Sequence, residues 1–232
     1  MTYFPDQGDD WQRTEPNAVG LDAHKLADAV SFAEASETPW PRDIEKDGRI
    51  PSLTDLEAPP WNEILGPIRP RGGPSGLIIK GGKIAAEWGE PDRPDMTFSI
   101  AKSYLSILTG VAVTDGLIGD LDEPIGDAVP GDLFAGAHNG AITWRHLLTQ
   151  TSEWEGTLWD KPDLIDRNRQ VGPGSDNSRK GQHRDLQAPG SYWEYNDVRV
   201  NLLSLCLLHT FKSPLPEVLK ERIMGPIGAS DT

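Results

Sequence analysis

The sequence predicts an α/β fold of the α+β kind. Three observations carry that expectation: a β-hairpin signature over 77–88, a long apolar helical pattern opening near Ile100, and a second apolar helix after Asn196. With 232 residues the chain is long enough for one substantial core. It reads as a single domain over 1–232, with 117–190 as a mostly helical and loop insertion.

In chain order, Asp22 caps a first helix over about 23–35, whose Leu26, Val30 and Ala33 form the stripe expected to pack on a sheet. The stretch from Thr38 to Gly73, rich in proline, glycine and charge, reads as irregular surface. Two short β-prone runs, Leu77-Ile78-Ile79-Lys80 and Lys83 to Trp88, are joined by Gly81-Gly82, the pattern of a two-residue hairpin. The next helix opens at Ser99 and keeps apolar spacing to Asp115-Gly116; it is apolar on most faces and is expected to be central and buried. Thr143 caps a short helix through Leu148. From Asp160 to Gln187 the chain is polar and nearly free of large apolar residues, which fits a flexible excursion or a lid. Asn196-Asp197 then cap a helix from Val198 to about Leu208. A last helix runs from about Leu215 to Ile223, with Pro216 in its first turn.

The net charge of −14, with no Lys/Arg cluster, argues against a nucleic-acid partner. No apolar run approaches the roughly 20 residues needed to span a bilayer, and the amino terminus lacks a signal's basic and apolar regions. A cytoplasmic protein without a membrane partner is therefore expected. Cys206 lies among leucines and reads as a buried, inert thiol. The five histidines have no ligand spacing, so no metal is expected.

Ser99 and Lys102 are the first candidates for chemistry. One helical turn apart, they share a face and bring an amine toward a hydroxyl that needs a base to become a nucleophile. At the helix start, the Ser99 N–H is also available to an oxyanion. The alternative is a capping serine followed by a solvated lysine.

Three runs decide between them: Phe98-Ser99-Ile100-Ala101-Lys102-Ser103, Ile142 to Ser152, and Pro189-Gly190-Ser191-Tyr192-Trp193-Glu194-Tyr195-Asn196-Asp197. Together, and in this order, they resemble the serine β-lactamase and penicillin-recognising superfamily, and within it the class C-like carboxylesterases and 6-aminohexanoate-dimer hydrolases. The resemblance implies an antiparallel sheet flanked by helices plus a mostly helical region. It also implies an acyl-accepting Ser99, with Lys102 as its amine partner and Tyr195 as a phenol sharing proton transfer. Either Lys102 or Tyr195 can be the base.

The expected activity is hydrolysis of a small-molecule ester or amide through acyl-Ser99, with no cofactor. A β-lactamase or penicillin-binding peptidase and a non-catalytic fragment are the alternatives. Asp197 stands where the lactamases usually have asparagine, which favours esterase or amidase chemistry over an anionic β-lactam. Asp197 is a candidate substrate contact as well as a candidate cap. Trp154 and Trp159 are candidates for an acyl pocket, against core or lid packing. The family's third motif, K-T-G or H-x-G-like on a later strand, does not follow Tyr195. The domain is thus expected to be incomplete at its carboxy-terminal end, with a second chain or self-association completing the cleft and sheet.

Overall fold

Two consecutive glycines with positive φ, Gly81 at 61° and Gly82 at 80°, turn the chain back on itself in the first hairpin. Described here by a computed structural model are residues 3–6, 8, 10–43, 59–63, 69–126, 128–172 and 174–229. Their contacts form two units: 1–55, 63–97 and 224–232 in one, 56–62 and 98–223 in the other.

In the first unit, strands β1 (Gly76–Lys80) and β2 (Lys83–Trp88) pair antiparallel, with a register shift between Ile78 and Ile79. One edge of this hairpin is partly covered. Ile84 of β2 exchanges backbone hydrogen bonds with Gln12 and Thr14, both at 2.9 Å. Helix α1 (Ala23–Ala35) starts as predicted, with Asp22 accepting the N–H groups of His24 and Lys25. Its stripe of Leu26, Val30 and Ala33 is only half-buried and no residue of the helix is fully covered. The Thr38–Gly73 stretch lies largely outside the described residues.

The second unit holds the larger core. Helix α2 (Ile100–Thr114) packs against α5 (Asp197–Phe211) and α6 (Leu215–Leu219) through Leu108, Thr109 and Ala112. It is less buried than its composition suggested: Ile100 is 59% exposed and Ile107 is also exposed, since Ile100, Ser103, Ile107 and Gly110 share an uncovered face. Between α2 and the short α3 (Gly136–Asn139), the loop from 117 is anchored by buried Ile118, Ile125, Val129 and Phe134. Helix α4 (Trp144–Leu148) begins in a capping box: Thr143 Oγ1 accepts the His146 N–H, and the Thr143 N–H donates to His146 Nδ1. His146 thus has a structural role. Trp154, Leu202, Cys206 and Leu207 have no exposed surface. Burying a side chain of that size contributes about 1.5–3 kcal/mol, and burial pushes the Cys206 thiol up to about 12.

The polar stretch after Trp159 is tied down by charge. It enters through a tight pair of two-residue strands on either side of Trp159-Asp160, β3 (Thr157–Leu158) and β4 (Lys161–Pro162), followed by a 3-10 turn at Asp163–Asp166. Arg199, in the first turn of α5, then gathers three segments. Its guanidinium donates to Glu153 at 2.7 Å, to Asp163 at 3.1 Å, to Glu194 at 3.3 Å and to the Trp154 carbonyl at 3.0 Å. Arg184 grips Glu153 with two bonds of 2.6 Å, and the Gln187 N–H donates to the same carboxylate. Arg167 bonds Asp163 and Glu155. These pairs replace the apolar contacts that the excursion lacks.

Burial alone would raise the Glu153 pKa. Arg184, the Gln187 N–H and Arg199 outweigh it and hold the carboxyl at about 2. A carboxylate held low stabilises the fold fully above its ordinary value of 4.5, and that contribution is lost as pH falls from there through about 2. Glu153→Gln leaves Arg184 and Arg199 facing an uncharged group. It is expected to cost about 3–5 kcal/mol in urea unfolding at pH 7 and to flatten the stability loss between those pH values. Gly190 has φ +89°, and a Cβ there would lie 2.7 Å from His146 Nε2. Gly190→Ala should therefore destabilise by more than about 1 kcal/mol, measured as a lowered thermal midpoint.

Candidate active site

Phe98 precedes the candidate nucleophile with φ 46°, in the left-handed region that non-glycine residues seldom occupy. This tight turn leads directly into α2. Phe98 O accepts the Ala101 N–H and Ser99 O accepts the Lys102 N–H, so the helix begins at the serine. The Ser99 side chain makes no capping bond to its helix. Its Oγ lies 2.5 Å from Tyr195 Oη and accepts from Lys102 Nζ at 3.2 Å.

Tyr195 is brought there by two stitches between the second and third sequence runs. The Gly190 N–H donates to the Thr151 carbonyl at 2.8 Å and the Glu194 N–H to Gln150 at 3.1 Å. Asn196 then caps α5, its Oδ1 accepting the Arg199 N–H at 3.2 Å. Of the predicted capping pair, Asn196 is therefore the cap. Asp197 is the first helical residue, and its side chain is free to do something else.

Asp197 Oδ1 lies 2.8 Å from Lys102 Nζ, and Oδ2 accepts from Arg169 Nη1 at 2.6 Å. Each carboxylate oxygen thus faces one cation, and both contacts are ion pairs at hydrogen-bonding distance. Both cations lie by the Tyr195 ring, Lys102 Nζ at 4.8 Å from its centroid and the Arg169 guanidinium carbon at 4.9 Å. Burial would lower the Lys102 pKa, but Asp197 and Tyr195 outweigh it and the ammonium is held above a lysine's ordinary value. Burial would raise that of Asp197, but Arg169 and Lys102 outweigh it and keep the carboxylate below the usual range.

Ser99, Lys102, Tyr195 and Asp197 thus converge. The two tryptophans do not join them. Trp154 is in the core with no exposed surface, its Nε1–H donating to the Leu133 carbonyl at 2.6 Å, so it lines no pocket. Trp159 is 66% exposed on the turn between β3 and β4, where no described contact links it to Ser99, Lys102 or Tyr195. Arg169 was missed from sequence: it lies in the polar stretch, 28 residues before the carboxylate it binds. An arginine in a segment with almost no apolar anchors was the available signal. Among the described residues no cluster could hold a metal ion, and no helix is long and apolar enough to cross a membrane.

No curated protein matches the chain significantly. Two solved structures are similar to it. A D-stereospecific amidohydrolase from Streptomyces sp. is 23% identical, with a TM-score of 0.40 over 55% of this chain and 40% of its own. EstCE1, a hydrolase with promiscuous acyltransferase activity, is 20% identical, with a TM-score of 0.43 over 66% of this chain and 45% of its own. The chain spans less than half the length of either. The β-lactamase family model matches residues 71–232, which include Ser99, Lys102, Tyr195 and Asp197, and the chain belongs to the β-lactamase family.

Proposed function

We propose that this protein is a serine hydrolase that cleaves an ester or amide bond through an acyl-Ser99 intermediate. The observation that carries the proposal is the placement of Ser99 Oγ within hydrogen-bonding distance of both Tyr195 Oη and Lys102 Nζ, in a chain of this family. Lys102 is held as an ammonium beside Asp197, so it has no lone pair to offer. Tyr195, acting as a phenolate whose charge the Lys102 ammonium faces, is then the group that takes the Ser99 proton as Oγ bonds to the substrate carbonyl carbon. The carbonyl π electrons move onto oxygen, next to the Ser99 N–H at the start of α2. Collapse breaks the bond to the leaving group, which receives the proton from Tyr195. Water, losing a proton to the same oxygen, then attacks the acyl carbon, and Ser99 leaves with that proton restored. Lys102 keeps a positive charge beside these oxygens throughout.

Support for esters and amides over β-lactams comes from Asp197 standing in place of the lactamases' usual asparagine, with both its oxygens already taken by Lys102 and Arg169. The natural partner is accordingly a small acyl compound. The half-exposed Phe98 and the exposed Ile100 flank Ser99 in sequence and offer apolar surface for its acyl part.

A fluorophosphonate probe should label the folded protein at Ser99, located by peptide mass mapping, and Ser99→Ala should abolish both the label and the turnover of p-nitrophenyl esters. Tyr195→Phe should lower kcat by about 10²–10⁴ with the fold intact by circular dichroism. A folded wild-type protein left unlabelled sinks the proposal and supports a non-catalytic role. Faster turnover of a chromogenic cephalosporin than of any ester would instead favour the β-lactamase reading.

A further inference from the structure

Resting on the serine hydrolase reading, we propose that Arg169 is a positioning residue, one that fixes the Asp197 carboxylate so that Lys102 is charged by it yet remains bonded to Ser99. A carboxylate free to turn can set both oxygens on one ammonium. Here Arg169 takes Asp197 Oδ2 at 2.6 Å and leaves only Oδ1 to Lys102, at 2.8 Å, while Lys102 also donates to Ser99 at 3.2 Å. Arg169 thus divides the carboxylate so that the ammonium keeps its bond to the serine.

Arg169 is itself built into place. Asn168, in the left-handed region at φ 61°, reverses the chain just before it. The Asn168 N–H donates to Glu194 at 2.7 Å and its side-chain amide to the Gln182 carbonyl at 2.8 Å. The Arg169 N–H donates to the Asp166 carbonyl, and Nη1 also lies 3.4 Å from Asp166 Oδ1. Asp166 has no exposed surface. It accepts the Asp197 backbone N–H at 3.0 Å and faces Lys180 Nζ at 3.1 Å. One buried carboxylate therefore orients both the arginine and the start of the helix that carries its target.

The electrostatic consequence follows from the same contacts. Lys102 and Arg169 share the Asp197 carboxylate, so the ammonium is only partly answered by it and keeps positive charge facing the oxygens of Ser99 and Tyr195. That charge favours negative charge developing on the reacting oxygens. Removing Arg169 ends the sharing. Asp197 Oδ2 then loses its partner, and the carboxylate can turn both oxygens on Lys102 and draw it from Ser99. The loss falls on the chemical step rather than on substrate binding.

The test compares Arg169→Met and Arg169→Lys with wild type, by the rate of Ser99 labelling with a fluorophosphonate and by kcat and KM for p-nitrophenyl acetate, corrected for the folded fraction. Arg169→Met is expected to label about 10- to 100-fold more slowly, with kcat reduced and KM unchanged, and Arg169→Lys to recover most of the rate. Because Arg169 acts through Asp197, Arg169→Met added to Asp197→Asn should change labelling by less than about 3-fold. That neutral pair also decides the matter if Arg169→Met alone does not fold. Wild-type labelling rates in Arg169→Met, or a further tenfold loss in the Asp197→Asn background, overturn the proposal while leaving the hydrolase reading intact. Failure of the wild-type protein to label overturns both.

Discussion

The guanidinium of Arg199 is the point on which the second unit turns. It is almost fully buried, and burying it is tolerable only because Glu153, Asp163 and Glu194 surround it and the Trp154 carbonyl takes a further N–H. The partners come from three different segments. Glu153 and Trp154 follow α4, Asp163 opens the 3-10 turn, and Glu194 immediately precedes Tyr195. Satisfying one cation thus brings together stretches whose sequences are too polar to be gathered by apolar burial.

Tyr195 inherits its position from that demand. With Glu194 held by Arg199 and Arg184, and Asn196 capping α5, the residue between them has little freedom of backbone, and its side chain points to the start of α2. Ser99 is positioned by independent means. The turn at Phe98 begins α2 at Ser99, and Leu108 and Ala112 seat the helix in the core. The 2.5 Å contact between Ser99 and Tyr195 is the meeting of an apolar framework with an ionic one.

What could be read from sequence divides along the same line. The Gly81-Gly82 hairpin, the Asp22 and Thr143 caps and the start of α2 depend on residues within a few positions of one another, and local chemistry sufficed for them. So did the pairing of Ser99 with Lys102 across one helical turn. The anchoring of 160–187 was not legible, because a run of charges looks alike whether it meets water or buried partners; only the positions of Glu153 and Arg199 distinguish the two. Trp154 was ambiguous for a related reason, since an indole suits a pocket as well as a core, and the Leu133 carbonyl that satisfies its N–H is 21 residues away. For Asp197 sequence offered a cap or a site contact. The competition was settled by its neighbour, since Asn196 takes the cap and leaves the carboxylate to face two cations.

That carboxylate bears on how a lysine can serve beside a serine. An amine acts as a base only when it is neutral, and burial among apolar groups is the usual way to make it so. Lys102 is partly buried, but Asp197 reverses the effect of burial, so the ammonium form prevails. An asparagine at 197 would supply a dipole in place of a charge, and the balance at Lys102 would move back toward the neutral amine. The identity of this one side chain therefore sets the charge state of the amine beside Ser99. On the proposed acyl-transfer reading, aspartate leaves the amine to supply charge and the phenol to accept the proton.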